Sequence, residues 1–170
     1  YLDIDDIVRI AKLARVDAIH PGYGFLSENP EFARACARAG IAFVGPTPEV
    51  MTTLGNKVAA REAAVAAGVP VMPATGPLPR TRLPSDAPAG QVEAAAAADL
   101  REARRLAAGV GYPLMLKASW GGGGRGMRVI ETEADLDAQL DVARREAGAA
   151  FGNDEVYLEK LVRRARHVEV

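Results

Sequence analysis

At 170 residues the chain is long enough to bury a core, either as one domain or as two small ones. Its 21 basic and 22 acidic residues leave a net charge of −1, which argues against a general nucleic-acid surface, and its single cysteine, Cys36, excludes an intrachain disulfide. No apolar run approaches the ~20 residues that span a bilayer and no secretory leader opens the sequence, so no membrane partner and a cytoplasmic setting are expected.

Asp3 can cap a first helix, with Asp5 and Asp6 in its first turn and Arg9, Lys12 and Arg15 towards its end, as the helix dipole prefers. Ile4, Ile7, Val8, Ala11 and Ala14 form its apolar stripe. Val16 to Ile19 reads as a short buried strand, and His20-Pro21-Gly22-Tyr23-Gly24 leaves its carboxyl end as a loop. Asn29-Pro30-Glu31 starts a second helix that Gly40 ends; Ile41 to Val44 is a second strand, and Thr47-Pro48 starts a third helix. Helices and strands alternating over short connections predict parallel strands covered by helices, an α/β architecture.

Gly55-Asn56-Lys57 interrupts the third helix, and another is expected from about Val58 to Ala67. Val69 to Ala74, with Pro70 and Pro73, reads as an extended crossing into a second unit. Gly76 to Gln91 is rich in Pro, Arg, Ser and Gly and reads as a loop; Val92 to Ala108 is an alanine-rich helix. Two short apolar segments, Leu114 to Ala118 and Met127 to Ile130, flank a glycine run, and Thr132 with Asp135 makes a capping box for a helix carrying Leu136, Leu140 and Ala143. Val156 to Val162 closes the series as a strand. The second unit is thus strand, helix, hairpin, helix, strand, an α+β layer small enough to act as a lid.

The stretch from Gly121 to Gly126 carries the chemistry. Glycines are entropically unfavourable to cluster unless the backbone must reach positive φ or touch something closely. Successive N–H groups in such a loop form a concavity for phosphate oxygens, and Lys117 and Arg125 add positive charge beside it. Gly121, Gly123 and Gly126 match G-x-G-x-x-G, but a strand rather than a helix follows them; in the Walker A loop the lysine comes after the glycines, whereas Lys117 comes first. What is left is a β-hairpin whose tip folds over a triphosphate, against the plainer reading of a surface turn, for which two residues suffice. Alternation sets Lys117 on the strand face opposite Leu114, Leu116 and Ala118.

Other candidates have two readings each. A lysine near a helix start opposes the dipole, so Lys57 is either a surface residue or a ligand contact. Glu159 and Lys160 are either an exposed pair or part of a strand end whose backbone N–H and C=O groups face a purine edge. His167 is either a core histidine or a contact to a sugar hydroxyl, and His20 and Tyr23 lie where open α/β sheets place ligands, although their Pro-Gly loop also serves simply to turn the chain. Cys36, one turn after Phe32, reads as a small core residue.

With these residues in view, the chain resembles the biotin carboxylase part of the biotin-dependent carboxylases, in the ATP-grasp superfamily. The matching segments are HPGYGFLSEN from His20, FVGP from Phe43, LGNKVAAR from Leu54, GYPLMLKASWGGGGRGMRVI from Gly111 and FGNDEVYLEKLVRRARHVEV from Phe151. Ser119-Trp120, LGNKVAAR and YLEKLV with RARHVEV most resemble the pyruvate carboxylases; the biotin carboxylase component of an acyl-CoA carboxylase shares the chemistry-bearing motifs. The resemblance implies the end of a parallel α/β N-terminal domain with a linker helix over residues 1–71, an ATP-grasp lid over 72–161, and the start of the C-terminal ATP-grasp half over 162–170.

The implied reaction uses ATP, Mg2+, bicarbonate and biotin: bicarbonate attacks the γ-phosphate to give carboxyphosphate, whose carbon dioxide passes to biotin on a biotinyl domain. By the same resemblance Lys57 and Lys117 match the phosphate-binding lysines, Gly123 and Gly124 the closing loop, Met127 the apolar side chain on adenine, Glu159, Lys160, Leu161 and Val162 the adenine hinge, and His167 a nucleotide contact. The segment from Gly76 to Gly111 is longer than the family's usual connection. The family's metal-binding glutamates, bicarbonate site and catalytic base match nothing before Val170, and neither an initiator Met nor a finished last strand is present. The chain therefore reads as part of a longer homo-oligomeric protein, with no catalytic or metal-binding residue of its own, and is expected to be inactive alone; turnover in a bicarbonate-dependent ATPase assay would refute this. The rival reading from another class is a nucleotide-binding module without catalysis.

Overall fold

The computed structural model describes residues 1–121, 126–166 and 168. Contacts divide the chain into two units, Tyr1–Ala63 and Ala64–Val170, each with its own sheet and its own buried cluster.

In the first unit the helix starts lie where their caps predict. Asp3 accepts the Asp6 N–H at 2.9 Å and opens α1 (Ile4–Leu13). Asn29 accepts from Glu31 and Phe32 and opens α2 (Pro30–Arg38), and Thr47 opens α3 (Pro48–Gly55). Asn56 then accepts the N–H groups of Val58 and Ala59, at 2.9 and 3.0 Å, and starts α4 (Lys57–Ala66). The strands β1 (Ala18–Ile19) and β2 (Ala42–Phe43) pair in parallel, with Ala18 opposite Ala42 and Ile19 opposite Phe43.

These strands are shorter than the sequence predicts, for a physical reason. The N–H of Val16 is still bonded to Ala11 and that of Ile41 to Cys36, so both residues close the helices before them. Phe32, Cys36, Ile41, Leu26 and Ala11 make the first core, with Phe32 edge-on to Phe43 at a centroid distance of 5.8 Å.

The second unit contains β3 (Ala74–Pro77), α5 (Ala89–Val110), β4 (Leu114–Ala118), β5 (Arg128–Ile130), α6 (Glu133–Phe151) and β6 (Val156–Lys160). Its antiparallel sheet has the order β3-β6-β4-β5, so β4 and β6 are central. Burial alternates along β4, and Leu114, Leu116, Ile130 and Leu158 are fully buried against α5 and α6, while on β6 Tyr157 is buried as well. Those helices contribute Ala103, Ala107, Ala143 and Ala147 beside Leu136 and Leu140, small side chains that let helix and sheet approach. Thr132 and Asp135 form the predicted capping box.

The segment read as a loop from Gly76 to Gln91 differs. It begins as the end of β3 and finishes inside α5, which starts at Ala89. Between them Leu78 is buried and its N–H bonds Val156. Buried Asp99 must find donors and takes the N–H and hydroxyl of Thr81, at 2.6 and 2.8 Å. Buried Arg144 bonds the Pro79 carbonyl, and Arg82 pairs with Asp154. Burial pulls the Arg144 guanidinium below its ordinary range, with nearby Arg80 acting in the same direction. No described helix is long and apolar enough to cross a membrane.

Candidate functional site

The four-stranded sheet has two unlike faces. One is sealed by α5 and α6; the other carries Met115 and Lys117 from β4, Val129 from β5, and Tyr157 and Glu159 from β6. Lys117 is therefore not on an edge strand, where exposed lysines are ordinary. Its ammonium lies 2.6 Å from the Glu159 carboxylate, and both side chains are only about one-fifth exposed, at 21% and 22%. Tyr157 stands directly across from Lys117, and its hydroxyl is 3.5 Å from the other Glu159 oxygen, at the outer limit of a hydrogen bond. Val129 and Met127 are half-exposed in the same phase, so an apolar strip borders the charged pair.

Beyond β4 the backbone turns at Gly121, whose φ is +82. A Cβ there would lie 2.2 Å from the Phe151 ring at the end of α6, so this position is restricted to glycine twice over. The strand is tied at the same level by Ser119, whose N–H bonds Glu155 at 3.0 Å. Gly123 and Gly124 of the predicted phosphate loop, and His167, lie outside the described residues.

Lys160 follows Glu159 but points the other way. Its ammonium donates to the carbonyls of Gly111 and Tyr112, both at 2.8 Å, just past the carboxyl end of α5, where a cation complements the dipole. Of the strand-end backbone groups, the Lys160 N–H bonds Pro73 at 2.8 Å and the Leu161 N–H bonds Pro113 at 3.1 Å. What this end offers a ligand is therefore carbonyls and the backbone of Val162, a residue that is 47% exposed. Lys57 is the first residue of α4 and belongs to the first unit, whereas Lys117, Met127 and the residues from Glu159 to Val162 belong to the second. In the loop after β1 the His20 ring accepts the Gly22 N–H at 3.0 Å, which favours the turn-forming reading of that histidine; Tyr23 is exposed. Cys36 is fully buried, and burial pushes its thiol pKa up from the ordinary range, in keeping with a core residue.

Residues 1–51 match the family model described as biotin carboxylase, N-terminal domain, and residues 84–170 match the one described as carbamoyl-phosphate synthase L chain, ATP binding domain. The chain belongs to the biotin carboxylase family. It is 49% identical over 170 residues to the pyruvate carboxylase of Bacillus subtilis, covering 100% of this chain and 13% of that protein. It is 48% identical over 171 residues to the biotin carboxylase of Pseudomonas aeruginosa, covering 100% of this chain and 34% of the relative. A solved biotin carboxylase domain dimer of 2-oxoglutarate carboxylase from Hydrogenobacter thermophilus, in complex with MgADP, ADP and bicarbonate, matches with a TM-score of 0.81 and 39% identity, over 96% of this chain and 32% of that one. The chain thus spans only about a third or less of the relatives it matches.

Sequence reading missed three positions that shape the site: Pro73, Tyr157 and Phe151. The Tyr157 position was legible as the strand alternation that also places Glu159. The other two depend on which residues the fold sets opposite each other, and local sequence carries no such signal.

Proposed function

We propose that this chain is the nucleotide-gripping part of a biotin carboxylase within a pyruvate carboxylase. Residues 1–71 end the parallel α/β N-terminal domain, 72–161 form the ATP-grasp lid, and 162–170 begin the C-terminal half. The observation that carries the reading is the Lys117–Glu159 pair, set on the open face of the sheet at the root of the glycine hairpin. A largely buried ammonium held by a carboxylate is preorganised, and an incoming phosphate is a second acceptor for its three donors. Met127 and Val129 supply an apolar surface for a purine ring, and the strand end at Lys160 to Val162 supplies backbone groups for its edge. Phosphoryl transfer asks a protein mainly for positioning and charge, and these groups provide both.

In the parent protein ATP, with Mg2+ held by ligands outside this chain, activates bicarbonate for transfer to biotin on a biotinyl domain. By the family resemblance Lys57, the first residue of α4, is the parent protein's second phosphate-binding lysine. His167, Gly123 and Gly124 complete the nucleotide contacts. A cytoplasmic homo-oligomer is the setting this reading carries with it. Substituting Lys117→Ala in the full-length parent is expected to weaken ATP binding by roughly 1.5 to 3 kcal/mol, the scale of a charge-assisted hydrogen bond. Titration calorimetry reads this directly, and an unchanged affinity refutes the phosphate role.

The assignment to pyruvate carboxylase rests on Ser119-Trp120 and the two motif stretches named above. The 48% identity to the biotin carboxylase of Pseudomonas aeruginosa supports the second reading, a component of an acyl-CoA carboxylase. Supplying the full-length parent with pyruvate or acetyl-CoA, and following which one takes up labelled bicarbonate, separates the two.

A further inference from the structure

We propose that Pro73 sets the base preference of the nucleotide pocket by withholding a hydrogen-bond donor from the Lys160 carbonyl. The inference rests on the reading that this chain binds ATP at the end of β6.

The argument begins with the β3–β6 ladder. Ala74 faces Glu159, and one step further the Lys160 N–H donates to the Pro73 carbonyl at 2.8 Å. Residues bonded in this way across an antiparallel pair normally exchange two bonds, N–H to carbonyl in each direction. Proline has no N–H. The return bond to the Lys160 carbonyl cannot form, and the ladder ends on a one-sided pair.

A proline at the start of an edge strand is ordinary when its nitrogen faces solvent. Here the Pro73 carbonyl is turned towards the central strand β6, and backbone N and C=O of one extended residue share a side, so its nitrogen faces inward. The next pairing inward is also irregular, since the Leu158 N–H takes the Thr75 hydroxyl at 3.0 Å in place of a carbonyl. In that pair the side chain supplies the missing partner; at Pro73 and Lys160 nothing on β3 can.

The position of this acceptor is useful. It lies where β6 ends, beside the half-exposed Val162, at the strand end assigned above to the purine edge. A 6-amino purine brings an N–H donor to such a carbonyl. A 6-oxo purine brings an oxygen, so two acceptors meet and the bond is replaced by repulsion. Any residue other than proline at position 73 would give the carbonyl an internal donor and make the exocyclic amino group less valuable. Pro73 acts through Lys160 and is a positioning residue for specificity.

The test compares ATP, ITP and N6,N6-dimethyl-ATP as ligands of the full-length parent and of its Pro73→Ala variant, by titration calorimetry. The unmodified protein is expected to favour ATP over both analogues by at least about tenfold. In the variant ATP affinity falls about fivefold to tenfold, the scale of one neutral hydrogen bond, while the analogues change by less than about twofold. General loosening of the strand would lower all three affinities together. If Pro73→Ala fails to fold, Pro73→Val, which suits an extended backbone, replaces it.

An unmodified protein that favours ATP, with a variant that keeps the same preference, overturns the role of Pro73 and leaves the nucleotide reading intact. An unmodified protein that binds ATP and both analogues equally overturns the proposal without any variant. One that binds none of the three overturns the nucleotide reading itself, and this inference with it.

Discussion

The two faces of the four-stranded sheet are written by the same strands and do opposite things. On the helix-covered face of β4, Leu114 and Leu116 are fully buried; on the other, Lys117 is held at 2.6 Å by a carboxylate from the neighbouring strand. On β6, Leu158 belongs to the core, while Tyr157 and Glu159 face the open side. Stability and ligand chemistry are thus interleaved at a period of two along one chain segment. A one-residue slip of either central strand would exchange the two sets, so the dry face fixes the register that brings Lys117 to Glu159.

The sharpest way to break this division is to damage one face and read the other. Leu116 is fully exchanged from water into the core, and Leu116→Ala is expected to cost about 2 to 5 kcal/mol of unfolding free energy, measured by urea denaturation. Nucleotide affinity of the folded protein should stay within about twofold. Lys117→Ala, one residue along, should lose affinity, and its stability cost, set by leaving the largely buried Glu159 carboxylate without its partner, should be about 1 to 3 kcal/mol. If Leu116→Ala leaves stability untouched, or cuts affinity as deeply as Lys117→Ala, the faces are not separate.

Much of this was legible in the sequence because it is local. The caps at Asp3, Asn29, Thr47 and Thr132 each bond a backbone N–H within three residues, and such contacts need no tertiary information. The alternation that placed Lys117 away from Leu116 is local too. What escaped was cross-strand and cross-element. The tethering of the long segment after β3 depends on Thr81 meeting Asp99 and Arg82 meeting Asp154, pairs 18 and 72 residues apart. Gly121 was visible as part of a glycine run, but not that Phe151, 30 positions on, packs where its side chain would be. The family resemblance supplied the ligand chemistry, and it could not say that the Lys160 side chain turns away from the open face.

That last point gives the smallest and most discriminating prediction. Glu159 and Lys160 are sequence neighbours of opposite charge, and from sequence alone both are candidates for the same pocket. Strand geometry separates them: Glu159 reaches Lys117 on the open side, while the Lys160 ammonium caps the carbonyls of Gly111 and Tyr112 behind the sheet. Lys160→Met keeps the apolar stem and the backbone but deletes both bonds. It should lower stability by about 1.5 kcal/mol, as expected for charged donors at a partly exposed helix end, and leave ATP affinity within about twofold, because whatever the strand end offers a purine is main chain. Thermal unfolding alongside calorimetric titration reads both quantities on one preparation. A variant as stable as its parent that binds ATP tenfold more weakly would move the ammonium to the ligand side and undo the assignment of the two faces at this strand end.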